Sequence, residues 1–171
     1  MVNEVNNKQT DIDVLHNPVN YQVEDLDSEI RAEQYCAQLL KLFHQHLLQD
    51  QGIEPLDAGS RAAGADYFLR EFMIGRCRNN IFAATAERVR QFAGNWYIVS
   101  TLEPNMTELK SILKGVASFY HYCAGHQLVE QKTAEQIAQT CELHDYFRQR
   151  IEDFHNISGN GYNQWNQDCP L

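Results

Sequence analysis

Apolar residues recur at steps of three and four along most of the chain, which is the spacing of one face of an α-helix. The first such stretch runs from Asp27 to a stop signal at Gly52. Its apolar positions are Cys36, Leu39, Leu40, Phe43 and Leu47. No segment of useful length alternates between apolar and polar residues, so the pattern predicts an all-α fold.

The same periodicity predicts four further helices, at about 60–80, 84–99, 105–125 and from about 133 to a stop signal at Gly159. Thr85 is the predicted cap of the third helix. Asn105 followed by Glu108 has the spacing of a capping box and opens the fourth helix. Thr133 followed by Gln136 repeats that spacing at the start of the fifth. The sequence therefore predicts about five helices.

The pattern divides the chain into an arm, a body and a tail. Residues 1–26 are polar and acidic, and we expect a flexible arm there. Residues 27–157 hold the predicted helices and form a single helical bundle domain. Residues 158–171 form a polar tail with two aromatic residues, Tyr162 and Trp165.

Composition narrows the class of protein. With 43% hydrophobic and 11% aromatic residues, the chain can bury one core, and this composition argues against a wholly disordered chain. No apolar run approaches the roughly 18 residues of a membrane span. The first residues lack the basic start and apolar stretch of a secretory signal. We therefore expect a cytoplasmic protein with no membrane role.

The five cysteines indicate neither a disulfide framework nor a zinc site. Their number is odd, and no two form a C-x-x-C pair. Four of them fall within helical patterns, where a reduced cysteine is usually a small core residue. Cys169 lies in the tail, and its role stays open.

The histidines do not form a recognisable metal or catalytic motif. His121, Cys123 and His126 straddle a helix end at a spacing that matches no closed zinc pattern. Glu152 and His155 form half of a di-iron signature whose second copy is missing. There is no G-x-S-x-G elbow and no glycine-rich phosphate loop. We predict no catalytic residues, no metal site, no cofactor and no enzymatic activity.

Charge is distributed unevenly along this acidic chain. The net charge is −9, yet residues 58–114 hold eight basic and five acidic residues. An acidic whole argues against loose, charge-driven binding of nucleic acid, whereas a basic middle allows a specific contact. The candidate nucleic-acid-contacting residues are Arg76, Arg78, Arg88, Arg90, Lys110 and Lys114. The alternative is a solvated face in which Asp66, Glu71, Glu87 and Glu108 pair with these cations and with Arg70.

Three segments of the middle region carry a resemblance to a known family. They are ADYFLREFMIGR, ATAERVRQFAGNWY and the stretch from NMTELK to TAEQI. The last includes Phe119, Tyr120 and Tyr122 at a helix end, then Gly125, and then Ala134 with Ile137. Residues from about 60 to 140 resemble the SAM-like core-binding domain that precedes the catalytic domain of tyrosine recombinases (phage integrases).

The resemblance implies a role in binding DNA without catalysis. The family's core-binding domain grips duplex DNA through basic helices, which would here be the second, third and fourth predicted helices. A recombinase also needs an H-x-x-R box, and no histidine of this chain has arginine three residues later. The expected function is thus a non-catalytic binding module that contacts the DNA backbone.

Two alternatives from other classes stay open. The first is a protein–protein adaptor or homodimer that uses the tail residues Tyr162 and Trp165 and has no nucleic-acid role. The second is a metal-dependent enzyme, for which the ligands would come from His121, His126, His144 and Glu152 with His155.

Overall fold

The fold is all-α, as the periodicity predicted. A computed structural model describes residues 11–171, and within that range no residue belongs to a β-strand. None of the helices in that range is long and apolar enough to cross a membrane. Residues 1–10 of the predicted arm lie outside the described residues.

Within residues 11–171, seven main helices build the bundle. We number them α1 (Leu26–Gln49), α2 (Pro55–Asp66, continued as a π-helix at Tyr67–Arg76), α3 (Ala86–Gln91, continued as a π-helix at Phe92–Trp96 and an α-helical turn at Tyr97–Ser100), α4 (Met106–Gly125), α5 (Gln131–Cys141), α6 (His144–His155) and α7 (Gly161–Gln167). Shorter 3-10 turns occur at Pro18–Tyr21 and Ile81–Ala83.

Helix α1 follows the predicted pattern closely. The side chain of its N-cap Asp25 accepts a hydrogen bond from the backbone N–H of Ser28, and the Ser28 hydroxyl lies 2.9 Å from the backbone nitrogen of Asp25. This reciprocal arrangement satisfies two donors that the helix start would otherwise leave free. All five apolar positions that predicted this helix are buried, so its apolar stripe faces the core.

Helix α2 begins five residues earlier than predicted. The sequence QGIEPLDAGS was expected to be a loop because of its Gly, Pro and Asp content, but Pro55 stands at the first helical position. Proline suits that position because its fixed φ is already helical and its missing N–H has no intrahelical partner to lose. The helix continues without a break into the ten-residue π-helix that ends at Arg76.

Helices α2 and α4 approach each other through two glycines. A Cβ added at Gly115 would lie 2.2 Å from the backbone oxygen of Arg61 and 2.9 Å from the backbone nitrogen of Ala65. A Cβ at Gly64 would lie 2.8 Å from the Cα of Ile112. The two backbones are therefore in contact, and neither position has room for a side chain.

An aromatic cluster fills the space between the two π-helices. Phe92 lies at the centre, with ring centroids 5.1 Å from Phe68, 5.4 Å from Phe72 and 5.8 Å from Trp96. Most of these contacts are tilted or edge-to-face, which aromatic rings favour over a face-to-face sandwich. This cluster fixes α3 against α2.

Two of the three predicted caps are confirmed. The side chains of Thr85 and Asn105 accept from the backbone N–H groups of Arg88 and Glu108. The Glu108 carboxylate does not complete a capping box, because it accepts a 2.6 Å hydrogen bond from the hydroxyl of Tyr97. The predicted cap at Thr133 is wrong, since α5 starts at Gln131.

The predicted fifth helix is two helices. A turn at residues 142–143 separates α5 from α6, with the Leu143 N–H bonded to the Thr140 carbonyl and the His144 N–H to the Glu142 carbonyl. Apolar positions on both sides of the turn, such as Ile137 and Phe147, are buried in the same core. The apolar spacing in the sequence thus continues across a turn that divides the helix in two.

The described parts of the arm and the tail pack on the body. Residues 11–15 are helical, and Tyr21 is fully buried with its hydroxyl donating to the Leu15 carbonyl at 2.7 Å. The tail contains α7, and Trp165 and Cys169 are both buried. Each segment therefore contributes apolar side chains to the core.

Candidate functional site

Three of the six candidate cations form ion pairs with carboxylates. Arg78 pairs with Glu29 on the first turn of α1, and Arg90 lies 2.8 Å from Glu87. Lys114 lies 2.9 Å from Asp57 near the start of α2. Hydrogen bonds from Arg61 and Lys114 hold the pKa of Asp57 at about 2. The ion-paired face proposed as the alternative is thus present in part, and Arg70 likewise pairs with Asp66.

The other three candidates have no carboxylate partner within the described chain. Arg88 donates to the side-chain oxygen of Gln91 at 2.9 Å, and Arg76 and Lys110 are exposed on the surface. Burial raises the pKa of the Cys77 thiol. The positive charges of Arg88 and Arg76 lie near enough to this thiol to oppose that rise. Arg76 and Arg88 therefore belong to the same part of the surface.

The six cations do not form one surface. Lys114 contacts Asp57 at the start of α2, whereas Arg76 is the last residue of its π-helical continuation. At a rise of about 1.5 Å per α-helical residue, and less in a π-helix, the two ends are roughly 25 Å apart. We call Arg76, Arg78 and Arg88 the arginine corner, because they flank the connection between α2 and α3.

Arg78 has a backbone conformation that favours glycine. Its φ is 49°, in the left-handed region. Its N–H bonds to the Ile74 carbonyl, and the N–H of Asn79 bonds to the Met73 carbonyl, so the residue occupies the place where glycine usually ends a helix. Its side chain remains 48% exposed. An arginine is thus kept at a position where its backbone is strained.

Arg90 has a structural role at the C-terminal end of the chain. Besides Glu87, it donates to the hydroxyl of Tyr146 at 3.0 Å and to the backbone oxygen of Asp168 at 3.5 Å. The side chain of Gln91 donates to the backbone oxygen of Pro170. Arg90 joins α3 to α6 and the tail, and its donors face protein groups rather than solvent.

The two tail candidates differ in their surroundings. Trp165 is only 4% exposed, and its indole N–H donates to the backbone oxygen of Arg150 at 3.0 Å. Tyr162 stacks on it and is 42% exposed. The adaptor hypothesis needs Trp165 at the surface, and its burial leaves only Tyr162 for a partner to contact.

Arg150 is a buried cation that the sequence did not single out. It is 5% exposed, its Nε donates to the Gly94 carbonyl at 2.9 Å, and its guanidinium lies 3.9 Å above the ring of Trp165. Its Nη2 has no hydrogen-bond partner. No ion pair in the described chain neutralises it, so the Trp165 ring is its main electrostatic partner.

A cluster of histidines lies where residues 11–16 meet the C-terminal ends of α1 and α4. The Nε2 atom of His16 is 3.1 Å from the hydroxyl of Tyr122, and its ring centroid is 4.8 Å from that of His126. His46 completes the cluster, 6.3 Å from His126 between ring centroids. Neither His16 nor His46 was grouped with His126 in the sequence.

Burial and mutual repulsion lower the pKa of two of these histidines. For His16 the causes are burial and then His126, opposed by Asp13. For His126 they are burial and then His46, opposed by Asp50, whose carboxylate is 2.8 Å from His46. Because the folded state disfavours protonation at both sites, their contribution to stability is present above about pH 6.5 and is lost as the pH falls towards the lowered values.

This cluster predicts a pH-dependent docking of residues 11–16. Hydrogen exchange, corrected for intrinsic rates, should show several-fold less protection of this segment at pH 5.5 than at pH 7.5. The double variant His16→Gln/His126→Gln should lose most of that difference. His121→Gln, which changes an exposed histidine of α4, should keep it. Equal protection of the wild-type segment at both pH values would contradict the assignment.

The cysteines and the remaining histidines show no metal-binding arrangement. Within residues 11–171, no three His, Cys, Asp or Glu side chains are placed to hold a metal ion. All five cysteines are free thiols, and burial raises the pKa of Cys36, Cys123 and Cys141. Such thiols are poor ligands and poor nucleophiles, because both roles need the thiolate.

Comparison with known proteins gives no relative. No protein-family model matches the chain, and no curated protein or solved structure matches it.

Proposed function

We propose that this chain is a non-catalytic binding module that contacts the phosphate backbone of duplex DNA through the arginine corner, Arg76, Arg78 and Arg88. The observation that carries the proposal is the placement of Arg76 and Arg88 together, without carboxylate partners in the described chain, beside the strained Arg78. A planar guanidinium matches the geometry of a phosphate group better than an ammonium does.

Of the six candidate cations, we take Arg76 and Arg88 as the phosphate contacts, with Arg78, which is paired with Glu29, beside them. Arg90 is engaged by Glu87, Tyr146 and the tail, and Lys114 is held by Asp57. Lys110 lies on α4, whereas the corner is formed by the end of α2, the connection that follows it and the start of α3. The resemblance of residues 60–140 to a DNA-gripping domain supports the same ligand.

The net charge of the protein determines how strong its DNA binding should be and how that binding should depend on salt. With a net charge of −9, most of the surface repels a polyanion, so contact is confined to the corner. Few phosphates can then be contacted, so we expect weak binding whose plot of log affinity against log salt concentration has a slope of only about two to three in magnitude. Two arginines without carboxylate partners in the described chain, Arg76 and Arg88, favour local contact over non-specific coating of DNA on an otherwise acidic protein.

Two double variants with the same change in charge test this proposal. Fluorescence anisotropy of a labelled duplex of about 20 base pairs would be measured at about 50 mM salt. Arg76→Gln/Arg88→Gln should weaken binding about tenfold, because it removes two phosphate contacts. Lys110→Gln/Lys114→Gln should change it less than about twofold, because these lysines lie on α4 and outside the arginine corner.

Two results would count against the proposal. If both double variants weaken binding equally, the effect is one of net charge, and the corner has no special part in it. If the wild-type protein does not bind the duplex even at low salt, DNA is not the ligand. Circular dichroism of each variant would verify that the helical fold is intact.

A further inference from the structure

Within the described chain, Arg78 is the member of the arginine corner that forms an ion pair. Its Nη1 donates to the carboxylate of Glu29, on the first turn of α1. The Arg78 side chain is 48% exposed and the Glu29 side chain only 20%, so the guanidinium is the partner more accessible from solvent. An anion that approaches this ion pair can therefore reach Arg78.

The backbone at Arg78 indicates that its side chain has a second partner. Its φ of 49° is one that glycine adopts without strain and that arginine adopts at a cost. The hydrogen bonds that end the helix here come from the backbone N–H groups of Arg78 and Asn79, and glycine at position 78 could make them equally well. A surface ion pair is too weak to offset that strain by itself.

The guanidinium of Arg78 can bind another anion. A guanidinium carries several N–H donors, and within the described chain the Arg78 side chain donates only to Glu29, through Nη1. Arg76 and Arg78 are two residues apart, which limits their Cα atoms to at most about 7 Å. A phosphate bound at the corner thus lies close to Arg78. Glu29 can be left without its partner, because the first turn of a helix stabilises a negative charge.

We propose that Glu29 gates the arginine corner: it holds Arg78 in the free protein, and a phosphate of the DNA backbone takes its place on binding. This inference rests on the proposed function, which supplies the competing anion. Arginine can bind a phosphate through a pair of parallel N–H bonds, whereas it contacts Glu29 through Nη1 alone, and this difference favours the exchange. Glu29 then limits the affinity for DNA without touching it.

Glu29→Gln removes the charge of the gate and keeps the shape of the side chain. With the labelled duplex used above, this variant should bind about three- to fivefold more tightly than wild type, which is the most that a surface ion pair is expected to withhold. Glu33→Gln is the control, because it makes the same change in charge one turn further along α1, near Arg70. It should tighten binding less than about twofold.

Arg78→Gly shows whether Glu29 acts through Arg78. In a protein that carries Arg78→Gly, the further change Glu29→Gln should tighten binding less than about 1.5-fold, because no guanidinium remains to be released. Relief of the strained φ should offset the loss of the ion pair, so the thermal midpoint of Arg78→Gly should stay within about 3 °C of wild type. A midpoint in that range also verifies that the variant is folded.

The outcomes separate the gate from the proposed function. If wild type binds the duplex but Glu29→Gln and Glu33→Gln tighten binding equally, the effect is one of net charge, and the gate is overturned while the proposed function stands. An equal gain from Glu29→Gln with and without Arg78 would also overturn the gate alone. If neither wild type nor Glu29→Gln binds the duplex at low salt, both proposals are wrong.

Discussion

Gly115→Ala is expected to destabilise the protein by about 2–3 kcal/mol, although alanine is the better helix former. Replacing glycine within a helix normally gains up to about 1 kcal/mol. Here the new Cβ would lie 2.2 Å from the backbone oxygen of Arg61, and a backbone atom on a packed helix cannot rotate away as a side chain can. Helices α2 and α4 must therefore separate, and the packing free energy lost exceeds the gain in helix propensity.

The matched control for Gly115→Ala is Gly59→Ala, in α2. No atom lies within 4 Å of a Cβ placed at Gly59, so that variant should be as stable as wild type or slightly more stable. Urea denaturation of both variants measures the difference, and the thermal midpoint of Gly115→Ala should fall by roughly 5–10 °C. An unchanged midpoint for Gly115→Ala would mean that α2 and α4 do not cross at this distance.

Trp165→Ala is expected to destabilise the protein by about 3–5 kcal/mol, in the range for a large buried aromatic residue. The indole packs against Phe154 at 5.1 Å between ring centroids, and its N–H bond to the Arg150 carbonyl would also be lost. Its removal leaves the guanidinium of Arg150 buried without the ring beneath it. The cavity, the lost hydrogen bond and the uncovered charge all lower the free energy of unfolding.

Tyr162→Ala is the control. Tyr162, also in α7, is 42% exposed, so this variant should lower the free energy of unfolding by less than about 1 kcal/mol. Denaturation measures both variants, and sedimentation velocity records their oligomeric state. We expect Trp165→Ala to change stability and not the association of the folded protein. A change in oligomeric state with little loss of stability would instead place Trp165 at an interface, as the adaptor hypothesis requires.

Local patterns predicted the fold class and most of the helical core. Leu109, Phe119 and Cys123 of α4 are buried as their spacing indicated, because a helix that packs on one side carries its apolar residues at steps of three and four. The caps at Thr85 and Asn105 were also predicted, since each depends on a side chain three residues from the N–H it satisfies.

The errors in the fold came from features that periodicity does not record. The turn at residues 142–143 interrupts the helix, but the apolar residues on both sides of it still face the same core. The early start of α2 at Pro55 was hidden by loop-like composition, although proline at the first turn is itself a helix signal. The packing of Trp165 depends on Arg150, and neither residue points to the other in the sequence.

The candidate site could be predicted only as a set of basic residues. Which cations remain free depends on carboxylates far away in sequence, such as Glu29 for Arg78 and Asp57 for Lys114. The histidine cluster likewise joins residues from three separate segments. Composition placed the positive charge in the middle third, and only the packing of the helices shows that it divides into separate groups.

The salt dependence of DNA binding by wild type and the two double variants tests the central claim most directly. Each arginine–phosphate contact contributes a slope of about one to the plot of log affinity against log salt concentration. We expect Arg76→Gln/Arg88→Gln to lower the magnitude of the slope by about two and Lys110→Gln/Lys114→Gln to leave it unchanged. One common slope for all three proteins would contradict the assignment of the arginine corner as the DNA-contacting surface.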